Sequence, residues 1–227
     1  GLNGGIDSVI EATRLRWVER GLVSTGVEGE HAIAKLKNSL LTWQFTYSTS
    51  ARREPDMRET IRGQEANGRF SFLPNPDSGT RLFTGLSDKI YEPLTEFSTP
   101  FYKGSISGLF KVGFRGTFRD REFDARRFRF VPIRTQTLNF NLPTDQLFAP
   151  ANIRPDGWVV REITRGTDTY TANMDIYGGF ALVDLALGPK WRVIGGVRFE
   201  DADIRVRTID PLVPGARPAL ANLNNRD

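Results

Sequence analysis

The chain has 227 residues, of which 39% are hydrophobic and 26% are charged, and its formal net charge is +4. It contains no cysteine, which excludes disulfides, thiol catalysis and cysteine-ligated metal sites. No apolar run approaches the ~20 residues of a membrane-spanning helix, so a helical membrane protein is also excluded. The net charge is modest, and the arginines alternate with apolar residues instead of forming a basic stripe. Both features argue against nucleic-acid binding.

Six long segments with alternating apolar and polar side chains predict β-strands, because successive side chains of a strand point to opposite faces. In chain order these strands are expected at 12–34, 39–54, 88–103, 109–131, 168–187 and 190–208. Short connections at 35–38, 104–108 and 187–190 predict tight hairpin turns. The connections at 55–87, 132–167 and 209–227 are rich in Pro, Asn, Asp and Gly and are predicted as long loops.

The clearest alternation lies in residues 109–130, LFKVGFRGTFRDREFDARRFRF. It predicts a strand whose two faces carry Phe110, Val112, Phe114 and Phe118 on one side and Lys111, Arg115 and Arg119 on the other. A strand of this length extends for about 70 Å, several times the usual strand in a soluble sheet. If the apolar face contacts lipid, the three cations should face a lumen, together with Arg192 and Arg198 of the last predicted strand.

Short turns at one end of the strands and long loops at the other are typical of outer-membrane β-barrels. The sequence therefore predicts an all-β fold, an antiparallel transmembrane β-barrel segment of about six long strands. Its short turns would face the periplasm and its long loops the exterior. An antiparallel β-sandwich is the alternative, but the strand length and the aromatic residues near strand ends, Trp43, Tyr170 and Trp191, favour the barrel.

Several runs resemble the barrel domain of TonB-dependent outer-membrane receptors. GEHAIAKLKNSLLTWQFTYSTSARREPDMRE (29–59) is similar to a turn and a strand that ends in Arg-x-Pro-Asp-x-Arg. SGTRLFTGLSDKIYEPLTEFSTPF (78–101) is similar to the next loop and descending strand, and the 109–130 run to the strand after it. Residues 147–185 and 191–200 resemble a later loop, strand and hairpin. The similarity covers nearly the whole chain in the expected order.

This resemblance implies a receptor that binds and actively imports a scarce nutrient, such as an iron–siderophore, a vitamin, a saccharide or a peptide. Such receptors are similar in having about 22 barrel strands around an N-terminal plug. No plug-like segment is recognisable here, so residues 1–227 are predicted to be a fragment of the barrel domain. The implied partners are the nutrient ligand, outer-membrane lipid, lipopolysaccharide and the TonB energy-transducing complex, which would act through a plug absent from this fragment. A passive porin or a structural, adhesin-like barrel is the alternative.

The sequence offers no catalytic or metal-binding constellation. His31 is the only histidine, and neither a second imidazole nor a thiol is present to form a ligand set with it. The GxSxG, HExxH, GxxxxGK and EF-hand patterns are all missing. The chain is therefore not predicted to be an enzyme or to hold a cofactor.

The candidate ligand-binding residues are large or cationic side chains of the two internal loops. Loops longer than about 12–15 residues are usually functional or disordered, and guanidinium and aromatic groups suit a bulky polar ligand. The candidates are Arg58, Arg62 and Arg69 in the first loop and Phe148, Arg154 and Trp158 in the second.

Overall fold

A computed structural model describes residues 9–226 as an antiparallel sheet with little helix. Its strands are β1 Ile10–Leu15, β2 Glu19–Ile33, β3 Ser39–Gln64, β4 Phe70–Phe72, β5 Thr80–Lys103, β6 Ile106–Pro132, β7 Trp158–Glu162, β8 Thr169–Leu187, β9 Trp191–Ile209 and β10 Leu220–Arg226. The helical pieces are α1 Thr144–Leu147 and 3-10 turns at Ala34–Leu36, Thr135–Thr137 and Pro150–Asn152. In the part of the chain that the structure describes, no helix is long and apolar enough to cross a membrane.

All ten strands belong to one sheet with a simple meander at its centre. The order is β1, β3, β5, β6, β8, β9, β10. The longer β2 pairs with β3 on the same side as β1, while β4 continues the line of β5 and β7 continues the line of β8. Strands hold 70% of the residues and helices 6%, so the predicted all-β, antiparallel class is confirmed.

The six long strands are close to their predicted positions, and so are the short turns between them. The turn before β3 holds Lys37 and Asn38 at φ of 56° and 58°. Gly104 after β5 and Gly188 after β8 have φ of 61° and 69°. Left-handed conformations of this kind are what tight hairpins require, and they explain the glycines at these two positions.

A β-bulge makes two of the predicted boundaries wrong. The register between β3 and β5 shifts between Glu54 and Met57, around Pro55. Proline has no N–H for the ladder and is tolerated at bulges, so β3 continues to Gln64 and β5 already begins at Thr80. The predicted loop 55–87 is therefore mostly strand. The predicted strand 12–34 is broken opposite the bulge, where β1 and β2 pair with β3 in registers one residue apart.

The other two predicted loops also contain strand. In the predicted loop 132–167, β7 pairs with the end of β6. The predicted loop 209–227 is a loop only up to residue 219, because β10 then pairs with β9 along the edge of the sheet. Residue 227 lies outside the described residues.

The unbroken registers of β6 with β5 and β8 show which side chains lie on each face of the sheet. Phe110, Val112, Phe114 and Phe118 share one side of the sheet, here called the phenylalanine face. The predicted cations share the opposite side, here called the arginine face: Lys111, Arg115, Arg119, Arg192 and Arg198. The predicted separation of these side chains is confirmed.

Candidate functional site

The phenylalanine face carries an uncharged band next to the short turns. The band runs through residues 23–33 of β2, 39–49 of β3, 91–101 of β5, 108–118 of β6, 177–187 of β8 and 191–199 of β9. Within these six segments, no side chain on the phenylalanine face is Asp, Glu, Lys or Arg. Many are large and exposed, including Val23, Phe45, Val112, Trp191 and Val197.

The upper limit of the band follows the register across β3, β5 and β6 and lies lower on β8 and β9, where Asp175 is paired with Phe118 and Asp201 with Tyr177. Tyr47 is paired with Tyr91, and Tyr91 with Phe118, at its upper limit. Directly above this line come Lys89 and Asp120, which are paired with each other. Eleven residues of strand extend for about 35 Å, or about 27 Å in height at a ~40° tilt. The uncharged band therefore has the height of the lipid-facing belt of an outer-membrane barrel, about 25 Å.

The arginine face is charged at the same level. In the same six segments it carries Glu28, Glu30, Glu92, Glu96, Lys111, Arg115, Asp184, Arg192 and Arg198. Opposite charges on neighbouring strands are paired: Lys111 with Glu96 at 2.8 Å, Arg115 with Glu92 at 2.9 Å, and Arg192 with Asp184. The two faces of the sheet therefore differ sharply in charge at the same level.

The β8 strand departs from this pattern, because its apolar series lies on the arginine face. Lys111 is paired with Leu182 and Arg119 with Met174. The stripe consists of Ala172, Met174, Ile176, Phe180 and Leu182. The alternation within β8 is evident in the sequence, but the side of the sheet on which it falls depends on the register with β6.

At the far end of the sheet, the long segment between β6 and β7 folds into an aromatic cluster. Phe72, Leu147 and Trp158 are buried with at most 1% exposure, and Phe130 is nearly so. Phe130 and Phe148 are stacked with ring centroids 4.4 Å apart, and Phe72 meets Trp158 edge to face at 5.1 Å. Buried aromatic pairs of this geometry add about 0.5–1.5 kcal/mol each beyond area burial. This cluster fixes the long loop on the sheet.

A cavity of about 510 Å³ lies between the sheet and this loop. Leu15, Arg58 and Arg81 line it from the strands, and Asp145 and Phe148 from the loop. Cavities of about 300–1,000 Å³ with an apolar lining and a few converging polar groups are the usual form of small-molecule sites. It is the candidate ligand site of the described residues.

Two arginines of the cavity wall are held by one carboxylate. Asp56 accepts hydrogen bonds from Arg58 Nε at 2.8 Å and from Arg81 Nε and NH2 at 2.8 and 2.7 Å. Partial burial by itself would raise the pKa of Asp56, but hydrogen bonds from Arg81 and Arg58 outweigh it and lower that pKa. Asp56 therefore stays ionised and holds two cationic side chains at the cavity.

The structure brings only some of the predicted candidates together. Arg58 and Phe148 line the cavity, but Arg58 and Arg62 lie on β3 and not in a loop, which corrects their predicted location. Arg62 donates to the carbonyl oxygen of Leu142 and so ties β3 to the long loop.

The remaining candidates lie away from the cavity. Arg69 is exposed in the turn before β4. Arg154 is bonded to Asp156 at 3.0 Å within the loop, and Trp158 is completely buried. Sequence reasoning missed Arg81, Asp145 and Phe130, because nothing local in the chain indicates that these distant segments meet.

A second carboxylate, Asp88, is held by two arginines on the arginine face just above the uncharged band. Arg119 donates to it from Nε at 3.1 Å and NH2 at 2.6 Å, and Arg121 from Nε at 2.8 Å and NH2 at 2.9 Å. Asp88 is 3% exposed. The hydrogen bonds from Arg121 and then Arg119 outweigh its burial and lower the pKa of Asp88 to about 2.

We expect this cluster to make stability depend on pH in acid. Because the pKa of Asp88 is lowered on folding, its stabilisation is fully present above pH ~4, and about 2 kcal/mol is lost as the pH falls through the folded value. Asp88→Asn should therefore lower the free energy of unfolding at pH 7, measured by urea denaturation, and the difference from the parent chain should shrink between pH 4 and pH 2. A difference that stays constant over this range would contradict the assignment.

Comparison with known proteins gives weak structural similarity and no sequence relative. No protein-family model matches the chain, and no curated protein matches it. Among solved structures, the chain is similar to the siderophore receptor PiuA from Acinetobacter baumannii, with 10% sequence identity and a TM-score of 0.41. The similarity covers 84% of this chain and 30% of that receptor, so the chain spans less than a third of its length.

Proposed function

We propose that this chain forms part of the wall of an outer-membrane β-barrel, with the phenylalanine face toward lipid and the arginine face toward the lumen. The observation that carries the proposal is the continuous uncharged band on one face of six neighbouring strands, about 27 Å high. A soluble monomer rarely exposes a continuous apolar surface of this extent.

The ends of the strands support the same orientation. The short turns lie directly below the uncharged band, and the long loop, the aromatic cluster and the cavity lie above it. Outer-membrane barrels have short periplasmic turns and longer extracellular loops. In this orientation the cavity with Arg58, Arg81 and Phe148 lies outside the cell, well above the membrane.

The open edges of the sheet require further strands in a membrane. Strands β2 and β10 are outermost in the described part of the sheet, and an unpaired edge in hydrocarbon costs several kcal/mol for each unsatisfied backbone group. We propose that other strands of a larger barrel pair with these edges. This chain would then be one section of a receptor wall.

We further propose that the complete barrel is a TonB-dependent receptor that actively imports a scarce nutrient. The succession of resembling segments from residue 29 to residue 200 is the support for this step. The salt-bridged arginine face fits a lumen that contacts a polar plug more closely than it fits an apolar channel. A passive porin or an adhesin-like barrel would share the wall but not the energy requirement.

Energised uptake distinguishes the receptor from a passive barrel. Cells with and without the gene should be supplied in turn with labelled ferric siderophores, vitamins, oligosaccharides and peptides, and periplasmic accumulation measured. We expect one class to accumulate only when the gene is present, and a protonophore to abolish that accumulation. Entry that depends on the gene but persists with the protonophore would identify a passive barrel instead.

A further inference from the structure

A group of arginines on the arginine face, where β1, β2 and β3 meet, is short of negative charge. Arg20 and Arg52 are directly opposite each other on β2 and β3. Like charges directly opposite on neighbouring strands destabilise a sheet. Arg16, Arg20, Arg52 and the buried Glu54 are called here the β2–β3 arginine cluster.

Some hydrogen-bond donors of this cluster have no acceptor among the described residues. Glu54 Oε1 accepts from Arg16 Nε at 3.0 Å and from the NH2 groups of Arg16 and Arg52. The Nε atom of Arg52 is buried and has no acceptor among the described residues. Arg20 is exposed and forms no ion pair within the described part of the chain. Glu54 is therefore bonded to two of the three arginines, and Arg20 is left without an ion pair among the described residues.

The neighbouring Asp88 cluster shows what a complete arrangement looks like. There, two arginines face one buried carboxylate, and the Nε and one NH2 of each donate to it. The β2–β3 arginine cluster also contains one buried carboxylate on this face, that of Glu54. It has three arginines instead of two, and the Nε of Arg16 is bonded to the carboxylate while the Nε of Arg52 is not. The missing component is an anion.

Space for an anion is present beside the cluster. A cleft of about 320 Å³ is lined by Arg20, Leu22, Ser50, Arg52 and Leu86. Arg20 and Arg52 lie at the polar side of the cleft together with Ser50, and most of its surface is apolar, with Leu22 and Leu86 among its lining residues. The cleft thus suits a compact anion attached to a less polar body.

We propose that this cleft binds the phosphoryl group of a phosphomonoester. A tetrahedral dianion with several acceptor oxygens bonds two guanidinium groups at once, which a single carboxylate already shared with Arg16 cannot do. Free phosphate esters and the headgroup of a phosphomonoester lipid have this chemistry in common. With the arginine face toward the lumen, as proposed above, a soluble phosphate ester is the expected ligand, and a lipid headgroup is the alternative that the experiment distinguishes.

Binding of defined phosphate probes tests the proposal. The full gene product in zwitterionic detergent is titrated with glycerol 3-phosphate by calorimetry, and in nanodiscs with and without phosphatidic acid by thermal unfolding. Arg20→Gln should weaken binding about tenfold or more, the range for a charged hydrogen bond. Arg53→Gln is the matched control, because Arg53 is an exposed neighbour on the other face, opposite Glu19.

A charge reversal gives an independent readout. Arg20→Glu places opposite charges across from each other on β2 and β3, so it should raise the unfolding temperature without phosphate and abolish the response to phosphate. Binding of glycerol 3-phosphate identifies a soluble ester as the ligand, and a response to phosphatidic acid alone identifies a lipid headgroup. No binding of either, or equal weakening by Arg20→Gln and Arg53→Gln, would overturn the proposal.

Discussion

Val197→Arg should prevent stable assembly of the barrel, whereas Ile194→Arg on the same strand should be tolerated. Both are exposed aliphatic residues of β9, with 74% and 59% exposure, and they lie on opposite faces. An arginine on the lipid face near the bilayer midplane costs about 2–4 kcal/mol, while one on the lumen face costs little. Assembly is measured by heat-modifiable gel mobility of the full gene product refolded into phospholipid vesicles.

The comparison of the two variants removes the usual ambiguity of a charge substitution. If both faces of the sheet were in water, the two arginines would be equally harmless, since surface substitutions usually change stability by less than about 0.5 kcal/mol. If the phenylalanine face were covered by a protein partner, Val197→Arg would fold normally in detergent and fail only in association. Equal refolding of both variants into vesicles would remove the lipid-facing assignment.

The sequence was sufficient to predict the six long strands approximately and the division of side chains in β6, because alternation is a local property. In β6 the register is unbroken, so Phe110 and Lys111 had to fall on opposite faces. Tight turns also fix the pairing of β2 with β3, of β5 with β6 and of β8 with β9. The long segment 133–168 fixes no such register between β6 and β8, so the side on which Met174 and Phe180 fall could not be predicted.

The bulge at Pro55 shows a different limit. Pro55 and Asp56 have low strand propensity, and the strand was therefore predicted to end at residue 54. In the folded chain, Pro55 lies at the bulge, where the ladder does not require its N–H as a donor. Asp56 accepts hydrogen bonds from Arg58 and Arg81. Tertiary pairing thus overrides local propensity, and the cavity that results joins residues from β1, β3, β5 and the long loop.

Trp158→Ala should detach the long loop from the sheet and lower the free energy of unfolding by about 3–5 kcal/mol, the usual cost of deleting a buried aromatic side chain. Trp158 is fully buried at the start of β7 and contacts Phe72, Phe140 and Phe148 at centroid distances of 5.0–5.8 Å. Because Phe148 also lines the cavity, the loss should reach the candidate ligand site. The measurement is urea unfolding together with limited proteolysis of residues 133–157.

Trp158→Phe is the matched control. The indole Nε1 is buried and has no hydrogen-bond partner among the described residues, so replacing the indole by a phenyl ring removes an unsatisfied donor and keeps most of the aromatic contact. We expect this variant to lose much less stability than the alanine variant and to keep the loop resistant to protease. If Trp158→Ala instead left both stability and protease resistance unchanged, the aromatic cluster would not be what holds the loop on the sheet, and the cavity beneath it would lose its structural basis.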